Sequence, residues 1–232
     1  MKKVVMLLII MFFLVTVMLL PTPVEQQDLY INAVSEKDPA TKIQLLKQYE
    51  QLYGQKQDQY VKFIYIQLAE TYFQLKNYQD TITYGEKALE WEEIPATNKL
   101  SVLSALANSY QATQKDLQKA YDYAQSMIEL THWVIDKAKN SELEKDKLDQ
   151  FIDTFNKYYI GPGYRVQAMI LYSRGKDNPT TIKEAAQKAV DAYTVDKSEN
   201  SSRMAFSFAN ELFKLNRLED AIEIAGKAID EI

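Results

Sequence analysis

One pattern constrains this chain more than any other: the stretch from Leu68 to Leu89 reappears, nearly position for position, from Phe208 to Ile229. The first copy reads Leu68-Ala69, Tyr72, Tyr78, Asp80-Thr81-Ile82 and Lys87-Ala88-Leu89. The second reads Phe208-Ala209, Leu212, Leu218, Asp220-Ala221-Ile222 and Lys227-Ala228-Ile229. Every pair is offset by 140 (208 − 68 and 229 − 89), about four units of 34 to 35 residues. A unit of that length cannot bury its own apolar face, so copies must stack on one another.

Within each copy a small residue (Ala69, Ala209) lies one turn from a large one (Tyr72, Leu212), and small positions recur after a polar turn. Two closely packed antiparallel helices require this alternation. A third copy fits with Leu103, Leu106, Ala107 and Tyr110 on its first helix and Ala120, Tyr123, Ala124 and Met127 on its second. Its turn, Thr113 to Lys119, is one residue longer, because the spacing from the first copy is 38 on the first helix (106 − 68) and 39 on the second (120 − 81). A fourth second-helix is carried by Ala185, Ala186, Ala189 and Ala192. Its partner is Tyr164 to Arg174, with either Ala168 or Met169 at the small position.

Tyr65, Leu68, Ala69, Tyr72, Tyr78, Ile82, Tyr84, Ala88 and, slightly late, Pro95 resemble the tetratricopeptide repeat. That pattern runs aromatic or Leu, Leu, Gly/Ala, Tyr, then Ala, aromatic and Ala, often closed by Pro. Thr81 stands where Ala is usual, Gly85 stands where a larger residue is common, and the units are longer than the usual 34. The resemblance covers about residues 60–230 and, more weakly, 29–54. It implies an all-α chain in which antiparallel hairpins stack into a right-handed superhelix whose first helices line a concave groove.

Only 6 Gly and 6 Pro occur in 232 residues, and no Pro interrupts a strongly periodic apolar segment, which agrees with an all-helical chain. There is no Cys, which excludes disulfides, thiolate catalysis and sulfur-ligated metals. Lys2 and Lys3 precede the first apolar run, so residues 21–232 carry 25 basic (27 − 2) against 32 acidic groups. The resulting excess of negative charge disfavours a nucleic-acid partner.

From Val4 to Leu20 the chain is uninterrupted apolar sequence with Thr16 its only polar member. As a helix it would rise about 25 Å, near the lower limit for spanning a bilayer and longer than the apolar core of most signal peptides. Two positive charges before the run, with Glu25 and Asp28 after it, place the N-terminus in the cytoplasm and the remainder on the other side. Small residues at cleavage spacing are missing from Val17 to Pro23. The expectation is therefore an uncleaved anchor over residues 1–20, with export and cleavage to a soluble form as the alternative.

Residues 21–28 are expected to form an extended linker and 29–232 the repeat domain. Asp38-Pro39 starts a helix, Gly54 stops one, and Asn77 and Asp116 stand at N-cap positions. Residues 131–163 break the period, since Ala120 and Ala185 are 65 apart (185 − 120). Leu148, Phe151, Ile152, Phe155 and Tyr159 at spacings of three and four predict an extra helix over about 143–159. Ile160-Gly161-Pro162-Gly163 should end it in a turn.

Catalytic signatures are sparse. His132 is the only histidine, so the H-E-x-x-H pattern is impossible, and phosphate-binding glycine loops and calcium loops do not occur. Neither a cofactor nor a metal site is expected. Glu92 with Glu93 and Asp149 with Asp153 are paired carboxylates of the kind found on any solvated helical face. Most of the 16 Tyr, including Tyr65, Tyr72, Tyr110 and Tyr123, fall at packing positions.

Three function classes follow, the last of them a structural repeat protein that self-associates. The first is a non-catalytic scaffold or adaptor, displayed outside the cytoplasm (periplasm or cell exterior), that binds a protein or peptide and assists envelope assembly or secretion by analogy with exported repeat proteins. The second is a helical hydrolase or carbohydrate-active protein, which requires two carboxyls converging in a deep acidic pocket. In the geometry the resemblance implies, groove positions are Phe63, Ile66, Glu70 and Phe73 in the first copy and Arg203, Phe206, Asn210 and Phe213 in the last. Ser101, Ser104, Asn108 and Gln111 take these places between them. Small polar residues flanked by Phe suit an extended peptide or helix with apolar anchors. Ile66 and Glu70 replace the Lys and Asn clamp by which some relatives hold a terminal carboxylate. At the other end, Ile222, Ile224, Ala225, Ala228 and Ile229 leave an apolar edge on the C-terminal helix, through which self-association is expected.

Overall fold

The computed structural model of the chain describes residues 23–56 and 58–229, and these are all-helical, with no strand among them. The apolar run at 4–20, and the membrane helix expected there, lie outside the described residues. Among the described residues no helix is long and apolar enough to cross a membrane. The chain divides into two compact units, Met1–Gln67 and Leu68–Ile232.

In the first unit, α1 (Pro23–Ser35) packs on α2 (Pro39–Tyr53), followed by a 3-10 turn (Gly54–Lys56) and the start of α3 (Val61–Gln74). The expected linker at 21–28 is corrected from Pro23 onward, because α1 begins there. Proline fits the first helical turn, where its missing N–H would have had no intrahelical acceptor, and Glu25 in the same turn complements the helix dipole. Asp38 caps α2 by accepting from the Thr41 N–H at 2.9 Å. The unit is held by tyrosines: Tyr30 stacks on Tyr60 at 4.4 Å and meets Tyr49 edge-on at 6.2 Å. The Tyr49 hydroxyl donates to Asp58, and Gln26 Nε2 donates to both at 2.9 and 2.6 Å. Burial, then the bond to Asp58, push the Tyr49 pKa above its ordinary value.

In the second unit the end of α3 leads to α4 (Tyr78–Leu89), α5 (Ala96–Thr113), α6 (Leu117–Lys139) and α7 (Lys145–Phe155). A π-helical turn (Asn156–Ile160) then precedes α8 (Gly161–Arg174), α9 (Pro179–Asp196), α10 (Glu199–Lys214) and α11 (Leu218–Lys227). Leaving α7 aside, each helix from α4 to α11 packs on the next, and α5 also meets α8, α8 meets α10, and α9 meets α11. Small residues make these close approaches possible: Ala107, Ala124, Ala168, Ala185, Ala189 and Ala205 are fully buried. Ala168, with Met169 only partly buried, therefore holds the small position left open by the sequence. Gly85 has a packing reason as well, since a Cβ there would lie 2.8 Å from Leu106 Cδ2.

The turns of three hairpins repeat as well. Lys76, Gln114 and Asn216 all adopt left-handed conformations, with φ of 57°, 51° and 61°, at offsets of 38 (114 − 76) and 140 (216 − 76) that match the sequence copies. At the first turn Asn77 N–H reaches Tyr72 O and Lys76 N–H reaches Phe73 O; at the last, Arg217 reaches Leu212 and Asn216 reaches Phe213, all at 2.9 Å. These paired bonds are a Schellman cap, which satisfies the last carbonyls of the helix and reverses the chain. Asn77 and Asp116 then cap the following helices through Asp80 N and through Gln118 N and Lys119 N.

The irregular region departs from expectation at Gly161-Pro162-Gly163. These residues form no inter-helix turn; they are the first turn of α8, and the chain is helical without a break from Lys145 to Arg174. The Gly161 N–H bonds Asn156 O five residues back, which is the π turn's wider ring. Pro162 stands in the first turn of α8, directly after the π turn. Both glycines are needed for close approach: a Cβ on Gly163 would sit 2.7 Å from Ile128 Cγ1, and one on Gly161 would strike Asp196. Asp196 is itself buried and ion-paired with Arg165, which also donates to Ser201 Oγ at 2.8 Å. Phe155 and Ile160, backed by Phe151, Ile152 and Tyr159, close over Leu100, Leu103, Met127 and Ile128, so the extra helix is fastened to α5 and α6 by its apolar stripe.

Candidate binding groove

Helix α3 presents Glu70 and Phe73 towards α5, which answers with Ser101, Ser104 and Ala105, and the π turn adds Tyr158 and Tyr159. Together with Gln74 they line a cleft of about 430 Å³. Four of these residues, Glu70, Phe73, Ser101 and Ser104, are positions the repeat geometry assigns to a groove. The two serines are half-buried and short, which leaves the space that larger residues would fill. Phe73 is half-buried, its ring 6.3 Å from Tyr78, while Tyr158 is 63 % exposed. The cleft's lining thus combines three aromatic rings with short polar side chains, and Glu70 is the one ionisable carboxylate among its lining residues.

The remaining anticipated groove residues are placed otherwise. Ile66 is fully buried, so its side chain packs and is not available to a ligand; removal of its methyls from water is what holds it there. Phe63 is half-buried with Lys62 Nζ 5.5 Å from its ring centroid, and both Phe63 and Ile66 belong to the first unit. Asn108 turns back on its own helix, donating to Ser104 O at 2.8 Å, and does not line the cleft. On α10, Phe206, Asn210 and Phe213 are exposed, and Arg203 is engaged with Glu199 of the same helix. None of these α10 residues lines the cleft.

Tyr158 is the residue the sequence did not point to. Tyr159 lies on the apolar stripe of the extra helix and Tyr158 lies one position off it. In the π turn both reach the cleft, because the wider turn changes which faces successive residues take. Sixteen tyrosines distributed over packing positions gave no signal that this one differed.

A second cleft, about 470 Å³, is lined by Leu89, Lys99, Leu103, Tyr123, Ser126, Glu129 and Leu130. Beside it, Glu86 on α4 accepts from Lys119 Nζ and Tyr110 Oη, both at 2.6 Å, and from Tyr123 Oη at 3.3 Å. Burial acts to raise the Glu86 pKa, but the hydrogen bonds from Lys119 and Tyr110 outweigh it and hold the carboxyl below its ordinary range. Burial and the neighbouring Glu86 charge push Tyr123 up to about 12. All four groups are mutually satisfied across three helices, an arrangement that fixes helix positions.

Each cleft holds one carboxylate, Glu70 or Glu129, so neither offers the converging pair that glycoside hydrolysis needs. Glu92, Glu93, Asp149 and Asp153 are exposed, as is His132. Among the described residues no group of three His, Cys, Asp or Glu is placed to hold a metal ion. In comparisons with known proteins, no family model and no curated protein matches the chain.

Proposed function

We propose that this chain is a protein-interaction scaffold of the tetratricopeptide type. Its hairpins stack into a right-handed superhelix, and the Phe73–Ser104–Tyr158 cleft holds an apolar side chain of a peptide or helix from a partner protein. The observation that carries the proposal is the cleft itself, in which groove positions of two successive hairpins converge with two tyrosines. The matching left-handed turns at Lys76, Gln114 and Asn216 support the repeat assignment. The partner's anchor is apolar because three aromatic rings line the cleft, and its backbone meets the Ser101 and Ser104 hydroxyls. The apolar run at 4–20 with its preceding lysines supports display of the scaffold outside the cytoplasm on an uncleaved anchor, where it would assist assembly or secretion of envelope proteins.

Selection of displayed random peptides against the full-length chain tests the cleft. Enriched peptides should share an aromatic or branched aliphatic anchor, and Ser104→Arg, which fills the cleft, should weaken them at least tenfold, about 1.4 kcal/mol. Selected peptides that bind Ser104→Arg as tightly as the native chain would place recognition elsewhere.

A further inference from the structure

The repeat supplies its own control for what each face of a hairpin normally meets. In the first copy α5 lies against both α3 and α4: Glu70 and Phe73 share a cleft with Ser101 and Ser104, and Gly85 abuts Leu106. Equivalent positions 140 residues later belong to α10 and α11. Ile82 is 3 % exposed, whereas its counterpart Ile222 is 63 % exposed. Phe73 is half-buried, whereas Phe213 is 60 % exposed; Leu89 is half-buried, whereas Ile229 is exposed. The face of the α10–α11 hairpin that corresponds to a helix seat is open among the described residues.

We propose that a second copy of this chain occupies that seat, through a two-fold contact in which α11 runs antiparallel to its counterpart. Size is the first reason. Phe206, Phe213, Leu215, Leu218, Ile222 and Ile229 are all exposed, and side chains of this bulk leave about 500 Å² of apolar surface per chain, so pairing removes about 1,000 Å² in total, the threshold for a specific interface.

Symmetry is the second reason, and it favours a copy over a foreign helix. Leu218, Ile222 and Ala225 on α11 and Ile229 in the turn directly after it are spaced 4, 3 and 4 residues apart, a stripe that reads the same in both directions. An antiparallel pair therefore sets Leu218 of one copy opposite Ile229 of the other, and Ile222 opposite Ala225, filling small with large near the axis. Gly226 lies beside this seam, and a Cβ there would meet nothing within 4 Å, so the helices are free to approach closely. Two acidic groups on α11 are already engaged within the chain: Asp220 is paired with Lys183 and Arg217, and Glu223 with Lys183 and Lys227.

The absence of cysteine from the chain makes the geometry directly measurable. In the full-length protein, held in a non-denaturing detergent, Ile222→Cys should join two chains through a short bis-maleimide because it lies near the axis. Leu218→Cys should not join to itself but should join to Ile229→Cys when the two variants are mixed. Light scattering should give a protein mass of two chains, halved by Ile222→Asp with helical circular dichroism unchanged. Should Ile222→Asp lose its helical signal, Leu218→Lys at the seam's edge takes its place in the same measurement. A mass of one chain for the native protein, Leu218→Cys joining to itself as readily as to Ile229→Cys, or an adduct whose mass includes another protein would each overturn the proposal.

Discussion

Gly163 and Gly226 both occupy helices but carry opposite consequences. At Gly163 a methyl would meet Ile128 at 2.7 Å and Met127 Cε at 3.2 Å inside a closed core, so Gly163→Ala should cost about 1–3 kcal/mol of stability. At Gly226 the methyl would enter open space, and Gly226→Ala should add up to about 1 kcal/mol by lowering the entropy of the unfolded chain. Chemical denaturation of both variants checks the signs, and two losses of equal size would contradict the placement of Gly226. Glu86 gives a residue-scale dependence on pH. Its folded pKa is depressed, so its stabilisation is complete above the unfolded value of about 4.3 and is lost as pH falls through the lower folded value. Glu86→Gln should therefore cost about 1–2 kcal/mol at pH 7, limited by the partial exposure of Glu86 and Lys119, and less at pH 3. Thermal melts at the two pH values that show the same deficit would remove the charge from the account. Neither effect was legible in the sequence, where Gly163 read as a turn residue and nothing singled out Glu86, because both depend on which side chains arrive from other helices.

Helix ends divide into those written locally and those decided by contact. Asn77, Asp116 and Asp38-Pro39 mark starts because a side-chain oxygen or a missing N–H answers a need of the first turn itself, and each does so in the fold. The left-handed turn residues are less obvious, since Lys76 and Gln114 carry no signature for positive φ; at Lys76 the requirement comes from the Schellman bonds that reverse the chain. Lys76→Gly should for that reason stabilise the protein by about 0.5–1 kcal/mol, by removing the Cβ cost of that conformation, and Asn216→Gly by less, as Asn tolerates it better. A loss of stability at Lys76→Gly in urea titration would mean that its side chain matters more than its backbone. Gly161-Pro162-Gly163 is the element the sequence misjudged. The same residues that break an isolated helix begin one here, because the π turn hands the chain over to α8 and the glycines let it settle on Ile128 and Asp196.

At the scale of the whole molecule, identical residues differ by their place in the fold. Ile82→Ala should cost about 2–5 kcal/mol, as for any fully packed isoleucine, whereas Ile222→Ala should cost little stability when the chain is dilute and act on association instead. Equal losses at both positions, measured at nanomolar concentration, would mean that the C-terminal face is covered within a single chain. The N-terminal run makes a separate prediction: the chain should remain at full mass in the membrane fraction and be digested by protease only from the non-cytoplasmic side, and a soluble product starting after Leu20 would show cleavage instead. By itself the sequence determined the helical class, the order of the hairpins and the small residues at their seams, since periodicity and residue size act over one or two turns of the same helix and survive in the linear text. Only the tertiary structure decided that Ile66 is buried, that Tyr158 joins Phe73 and Ser104 in a cleft, and that Ile222 is left uncovered while Ile82 is not. Those outcomes depend on which helix comes to lie against which, and residues far apart in the chain leave no local mark of the neighbours that packing will give them.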